Sequence, residues 1–98
     1  MLISIPSLTH YEVINALRYS GVFDEASLLL AGRSLSKYPF EVWSLKGRLL
    51  DETVRISLNE NLTVYDASYV ALARRKNAVL LTEDAGLLQL FPSTTMSL

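Results

Sequence analysis

Three acidic residues of this 98-residue chain have the type and placement that metal-assisted chemistry requires. Asp84 lies just past the carboxyl end of a strand predicted over residues 78–82, and Asp66 lies just past that of a strand predicted over residues 62–64. In open parallel sheets, ligands bind at this edge. Glu12 falls about one turn into the helix that follows the first predicted strand, so its side chain can lean over the same edge. The sequence therefore predicts that the three carboxylates converge.

Converging carboxylates repel each other unless a hard cation neutralises them. The chain has no cysteine and a single histidine, His10, so a thiolate zinc site and a multi-histidine site within one chain are both excluded. Oxygen ligands of this kind favour Mg²⁺ or Mn²⁺. An ion held in this way can orient and deprotonate a water molecule and stabilise charge at a scissile phosphate.

Each acid also has an ordinary structural interpretation. Asp66 and Asp84 could each cap the amino end of a helix, and Glu12 could be an exposed helix residue. The one dense basic run, residues 74–76, suits the carboxyl end of a helix, where cations complement the helix dipole. Spacing alone leaves the structural and the catalytic interpretation of the acids open.

The composition predicts one small packed domain over residues 1–98. Half of the residues are hydrophobic and 19% are charged, which is typical of a packed domain. The formal net charge is −1, so the chain as a whole has no net positive charge to attract nucleic acid. No apolar stretch reaches the roughly 20 residues that span a bilayer. We expect a soluble, cytoplasmic protein with no membrane partner.

The predicted elements alternate between strands and helices, which is typical of a mainly parallel α/β sheet with right-handed crossovers. Ser7 and Asp24 are the expected amino-terminal helix caps, and the strand over residues 78–82 reads as buried on both faces. The remaining assignments are a strand at 2–5, helices at 7–19, 24–35, 41–58, 67–76 and 85–90, a strand at 62–64, and an edge strand or tail at 94–98.

Three segments resemble the acidic motifs of the PIN-domain nucleases. Residues 5–17 (IPSLTHYEVINAL) look like the strand and helix that carry one conserved acid of that family. Residues 64–73 (VYDASYVALA) closely resemble the next acidic motif as found in VapC-type toxins, and residues 80–84 (LLTED) resemble a strand ending in Thr-x-Asp. The order and the separations of the motifs agree with that family across nearly the whole chain.

The resemblance implies a three-layer α/β/α fold with a mainly parallel sheet and a metal-dependent ribonuclease that hydrolyses RNA phosphodiesters. It assigns Glu12, Asp66 and Asp84 to the Mg²⁺ or Mn²⁺ site and makes Thr82 a residue whose hydroxyl supports that cluster. It also implies the toxin of a toxin–antitoxin pair, with a cognate antitoxin as partner.

The chain departs from the family pattern at its beginning. Members of the family begin with a strand that carries a first aspartate, whereas no acidic residue precedes Glu12 here. We therefore expect an N-terminally truncated, partial PIN-like domain that is weakly active or inactive, and we expect its binding of divalent ions to be weak or absent.

A catalytically silent dimerisation or antitoxin-binding module is a second interpretation. A flavodoxin-like or receiver-like regulatory domain is disfavoured, because those folds place paired acids near the first strand. We expect a homodimer in either leading case, since apolar residues of the middle helices, Leu28–Leu30, Tyr38, Phe40 and Trp43, suit a buried interface.

Overall fold

The computed structural model describes residues 3–97, so Leu2 of the first predicted strand and Leu98 of the predicted tail lie outside the described residues. The chain divides into two compact units, Met1–Trp43 (unit 1) and Ser44–Leu98 (unit 2). Unit 1 contains β1 (Ser4–Pro6), α1 (Thr9–Tyr19), α2 (Glu25–Lys37) and β2 (Glu41–Trp43). Unit 2 contains α3 (Gly47–Glu60), α4 (Val64–Arg75), β3 (Leu80–Leu81), α5 (Ala85–Leu90) and β4 (Thr95–Met96).

The α/β class and the parallel pairing of strands are confirmed. Across residues 3–97 the strands form two parallel pairs, β1 with β2 and β3 with β4, where the sequence predicted one sheet. Each strand is only two or three residues long, so the helices supply most of the ordered backbone.

The β1–β2 pair of unit 1 corrects the helix predicted over residues 41–58. Ile5 lies opposite Val42, and the pairing continues where the Ser7 backbone N–H donates to the Trp43 carbonyl at 2.9 Å. The Glu41 carboxylate accepts from the Trp43 indole N–H at 2.7 Å, and also from the Ser4 hydroxyl at 3.0 Å. These partners hold residues 41–43 extended, and the helix begins only at Gly47.

The two helices of unit 1 begin differently. Asp24 caps α2 as predicted, because its carboxylate accepts the Ser27 backbone N–H at 2.8 Å while the Ser27 hydroxyl accepts the Asp24 N–H at 3.0 Å. The hydrogen bonds from the Ser27 backbone and hydroxyl lower the pKa of Asp24 below its ordinary value of 3.8. The prediction that Ser7 caps α1 is wrong: the helix starts at Thr9 without a side-chain cap, since Ser7 still belongs to the strand exit.

Helices α1 and α2 pack against each other through a close approach at Gly32. A Cβ atom at that position would lie 3.7 Å from Cδ1 of Ile14, an ordinary contact distance. All residues of both helices are described, and none of them is buried. Gly21, in the left-handed region with φ of +78°, ends the first segment as predicted.

Unit 2 has an apolar core built on α3 and α4. Small residues of α4 allow the close packing that the sequence predicted, since Ala67 and Ala71 are fully buried. Asn61 and Asn77 adopt left-handed conformations at the ends of α3 and α4, which is typical of residues that end a helix. The buried apolar residues of the unit are Leu49, Ile56, Ala67, Val70, Ala71, Leu72, Ala73, Leu87 and Phe91.

The β3–β4 pair is shorter and more exposed than predicted. Leu80 pairs with Thr95, and the Thr82 backbone N–H donates to the Met96 carbonyl at 3.0 Å. The edge strand predicted at the end of the chain is thus confirmed at Thr95–Met96. Burial on both faces is wrong for residues 78–82, because Val79 and Leu81 are each about half exposed. Within residues 3–97, no helix combines the length and the apolar character that crossing a membrane demands.

Candidate metal-binding and active site

Asp66 lies in the first turn of α4, which corrects the prediction that it follows a strand. The helix begins at Val64, and Thr63 is its N-cap, with the Thr63 hydroxyl accepting the Asp66 backbone N–H at 3.1 Å. The β-branched residues Thr63 and Val64 suggested a strand, but a threonine three positions before an acid is also a helix-start pattern. That pattern could have identified Thr63, which the sequence analysis missed, as the residue that fixes the backbone of Asp66.

The side chain of Asp66 is available for a ligand. It is partly buried, and its carboxylate forms no hydrogen bond or ion pair with any residue in the described range 3–97. It sits at the amino end of a 12-residue helix, where the partial positive charge of the helix favours a carboxylate in its ionised form. Its oxygens remain accessible to solvent, so water or a cation can satisfy them.

Asp84 combines a structural role with a free oxygen. It follows β3 as predicted and caps α5, with Oδ1 accepting the Leu87 backbone N–H at 3.0 Å. The capping interpretation is thereby confirmed, and it uses one carboxylate oxygen. The other oxygen has no partner among residues 3–97.

Thr82 holds the backbone of Asp84, and the absence of a side chain at Gly86 leaves room for the Asp84 carboxylate. The Thr82 hydroxyl accepts the Asp84 backbone N–H at 3.1 Å, so two of the predicted site residues touch directly. A Cβ atom at Gly86 would lie only 3.1 Å from Oδ1 of Asp84. A side chain at Gly86 would therefore push the carboxylate away from its present place.

Glu12 lies in the first turn of α1 and follows β1, as the sequence predicted, and it is exposed. It belongs to unit 1, whereas Asp66, Thr82 and Asp84 belong to unit 2. Within each unit, the described residues contain no group of three His, Cys, Asp or Glu side chains placed to hold one ion. The convergence of all three acids therefore stays a prediction.

The donors that the chain offers fit a hard divalent cation. Asp66 supplies two carboxylate oxygens without partners and Asp84 supplies one. Mg²⁺ and Mn²⁺ prefer oxygen ligands of this type. The helix-start geometry of both residues holds their backbones in fixed conformations, which limits the reorganisation that binding an ion would require.

Known proteins resemble this chain over nearly its whole length. The family model described as PIN domain matches residues 2–90. Exonuclease VapC9 of Pyrobaculum aerophilum is 36% identical over 86 residues, and Ribonuclease VapC1 of Mycobacterium tuberculosis is 38% identical over 85 residues. The crystal structure of PAE2754 from Pyrobaculum aerophilum superimposes with a TM-score of 0.70 at 33% identity and covers 96% of this chain.

The matched relatives are longer than this chain. The alignments cover 88% and 84% of the chain, but only 65% of VapC9 and 62% of VapC1, which is under two thirds of either relative. The superposition covers 69% of the PAE2754 chain. The family match over residues 2–90 includes Glu12, Asp66 and Asp84.

Proposed function

The chain belongs to the PIN domain family, and on that premise we propose that it is a VapC-like, divalent-metal-dependent ribonuclease that hydrolyses RNA phosphodiesters. The observation that carries this proposal is the Asp66 carboxylate, which lies partly buried at a helix amino end without a partner among residues 3–97. Such a carboxylate suits a metal ligand better than a structural role, because Thr63 already caps the helix.

Three of the proposed site residues bind the metal ion, and the fourth positions one of these ligands. Glu12, Asp66 and Asp84 are the ligands of a Mg²⁺ or Mn²⁺ ion. Thr82 positions Asp84, since its hydroxyl holds the Asp84 backbone N–H at 3.1 Å. When bound, the ion supplies a polarised water molecule and charge stabilisation at the scissile phosphate. The carboxylates balance the charge of the ion and fix its place.

RNA is the proposed substrate because one relative carries the name ribonuclease, while another is named an exonuclease. We propose that the chain acts in the cytoplasm as the toxin of a toxin–antitoxin pair and forms a homodimer. Apolar side chains that are exposed on both helices of unit 1 would suit a protein-binding surface there. These side chains are Tyr11, Val13, Tyr19, Leu29 and Leu30.

A cleavage assay tests the activity. The chain should cleave single-stranded RNA with Mg²⁺ or Mn²⁺ and should be inactive with EDTA. Asp66→Asn should lower the rate at least about 100-fold, because it removes charge and a ligand from the ion. Asp51→Asn is the matched control, since Asp51 is an exposed acid on α3 and should keep full activity.

Two results would decide against this function. Equal cleavage by wild type and Asp66→Asn would remove Asp66 from the site. A folded wild-type chain that cleaves no RNA with either ion would favour the catalytically silent interaction module. Light scattering during size exclusion tests the homodimer separately, and a species near 11.0 kDa would contradict it.

A further inference from the structure

Unit 2 contains a basic groove that the sequence did not predict. The run at residues 74–76 by itself suited a helix carboxyl end, but in the structure Arg55 of α3 joins Arg74 and Arg75 of α4 around one groove of about 410 Å³. A helix dipole explains the two cations in the last turn of α4 and does not explain Arg55. The lining residues are Glu52, Arg55, Ile56, Asn59, Arg74 and Arg75.

The cations of this groove are only weakly engaged by the protein itself. The guanidinium of Arg74 lies over the Phe91 ring at 5.1 Å, which orients it without neutralising its charge. Arg75 lies 3.9 Å from the carboxylate of Glu52, near the limit for an ion pair. Arg55 forms no ion pair with any residue in the described part of the chain. Three cations thus face one acid.

We propose that this groove binds the sugar–phosphate backbone of the RNA that the site cleaves, an inference that rests on the proposed function. Guanidinium groups present paired N–H donors that match phosphate oxygens. Asn59 adds a neutral donor beside them. Among residues 3–97 no aromatic side chain lines the groove, so the described part offers no aromatic platform for stacking bases. The proposed contacts are therefore independent of nucleotide sequence. They position the RNA strand and do not recognise its bases.

RNA binding measured in EDTA tests the groove without requiring cleavage. Fluorescence anisotropy of a labelled single-stranded RNA of mixed sequence is recorded for the full chain over a range of KCl concentrations. Arg55→Gln and Arg75→Gln should each raise Kd by roughly three- to tenfold and reduce the salt slope by about 0.7 per lost contact. Arg48→Gln, on the same helix as Arg55 but outside the groove, is the control and should leave both quantities unchanged.

The outcomes separate this inference from the proposed function. Unchanged Kd and salt slope in the Arg55→Gln, Arg75→Gln double variant would overturn the groove even if the wild type cleaves RNA. A loss of binding in these variants, with none in Arg48→Gln, supports the groove even if no cleavage occurs. A polyglutamate peptide that displaces the RNA as well as an RNA of equal charge would assign the groove to an acidic protein partner and contradict the proposal.

Discussion

The two units of the chain use similar local devices and differ in what they bury. In unit 2, each of α3, α4 and α5 buries apolar residues, including Leu49, Val70 and Leu87. In unit 1, neither helix has a buried residue, and the buried residues of its described part are Ile5 and Pro6 of β1. The stability of unit 2 can therefore be attributed to its own core, whereas unit 1 depends on capping, strand pairing and partly covered contacts.

Helix capping does not account for this difference. Asp24 in unit 1 and Asp84 in unit 2 both cap a helix through a backbone N–H three residues later. The cap of α2 is the more complete, since the Ser27 hydroxyl also accepts a hydrogen bond from the Asp24 backbone N–H. A complete cap fixes where a helix starts, but the helix becomes stable mainly through the apolar face that it buries.

The largest contrast should come from truncating a leucine in each unit. Leu49→Ala in α3, where the residue is 3% exposed, should lower the free energy of unfolding by about 2–5 kcal/mol through lost burial and a cavity. Leu29→Ala in α2, 51% exposed, should change it by less than about 0.5 kcal/mol. Urea unfolding at low protein concentration measures both. Equal costs would show that Leu29 is buried in solution and would break the comparison.

Structural features that depend on neighbouring residues were predicted from the sequence better than features that depend on contacts between distant residues. The cap at Asp24 was predicted correctly and the capping interpretation of Asp84 was confirmed, because each depends on one residue and its nearest neighbours. The strand at Glu41–Trp43 was missed, because its partner β1 lies far away in sequence. A helical spacing of apolar residues continued through Trp43, and nothing local opposed it.

The predictions for the candidate site and the groove also succeeded or failed according to whether they depend on neighbouring or on distant residues. The place of Asp84 was predicted because the pattern Thr82-x-Asp84 is short, and the Thr82 contact lies two residues away. The setting of Asp66 was wrong because Thr63 and Val64 have high strand propensity. In the structure the Thr63 hydroxyl fixes the start of α4, and the burial of the following apolar residues stabilises the helix. The groove at Arg55 required the packing of α3 on α4, which no local pattern contains.

A smaller effect is expected at the cap of α5. Asp84→Ala should destabilise the protein by about 0.5–2 kcal/mol, because the Leu87 N–H loses its acceptor. Asp84→Asn should keep the cap and the stability while lowering the cleavage rate, since it removes only the charge. Thermal unfolding and cleavage are measured on both variants. If Asp84→Asn also cleaved at the wild-type rate, Asp84 would be a cap and nothing more.

Thr53 offers a substitution that should strengthen unit 2. Its side chain is fully buried in α3, and its hydroxyl has no hydrogen-bond partner in the described structure. Thr53→Val keeps the shape and removes the unsatisfied group, so it should raise the free energy of unfolding by up to about 1 kcal/mol. Thr53→Ser retains the hydroxyl, loses the methyl group and should destabilise. A destabilising valine would mean that water or another partner satisfies the hydroxyl.

The smallest effect concerns the pH dependence of the α2 cap. The pKa of Asp24 is lowered below 3.8 by its bonds to Ser27, so the cap stabilises the folded state above that pH and is lost as the pH falls through the folded-state pKa. Asn caps a helix without titrating. The stability of wild type relative to Asp24→Asn should therefore decrease as the pH falls from about 5 to below 3.8. A constant difference over this range would remove the assigned role of the carboxylate.

The central claim, that Glu12, Asp66 and Asp84 hold one divalent ion, is tested most directly by Mn²⁺ in solution NMR. Paramagnetic Mn²⁺ added in small amounts to the ¹⁵N-labelled chain should broaden the backbone amide signals of Glu12, Asp66 and Asp84 together. The signal of Asp24, an exposed acid outside the proposed site, should stay sharp. Broadening that misses Asp66 and Asp84, or that is equally strong at Asp24, would contradict the proposed site.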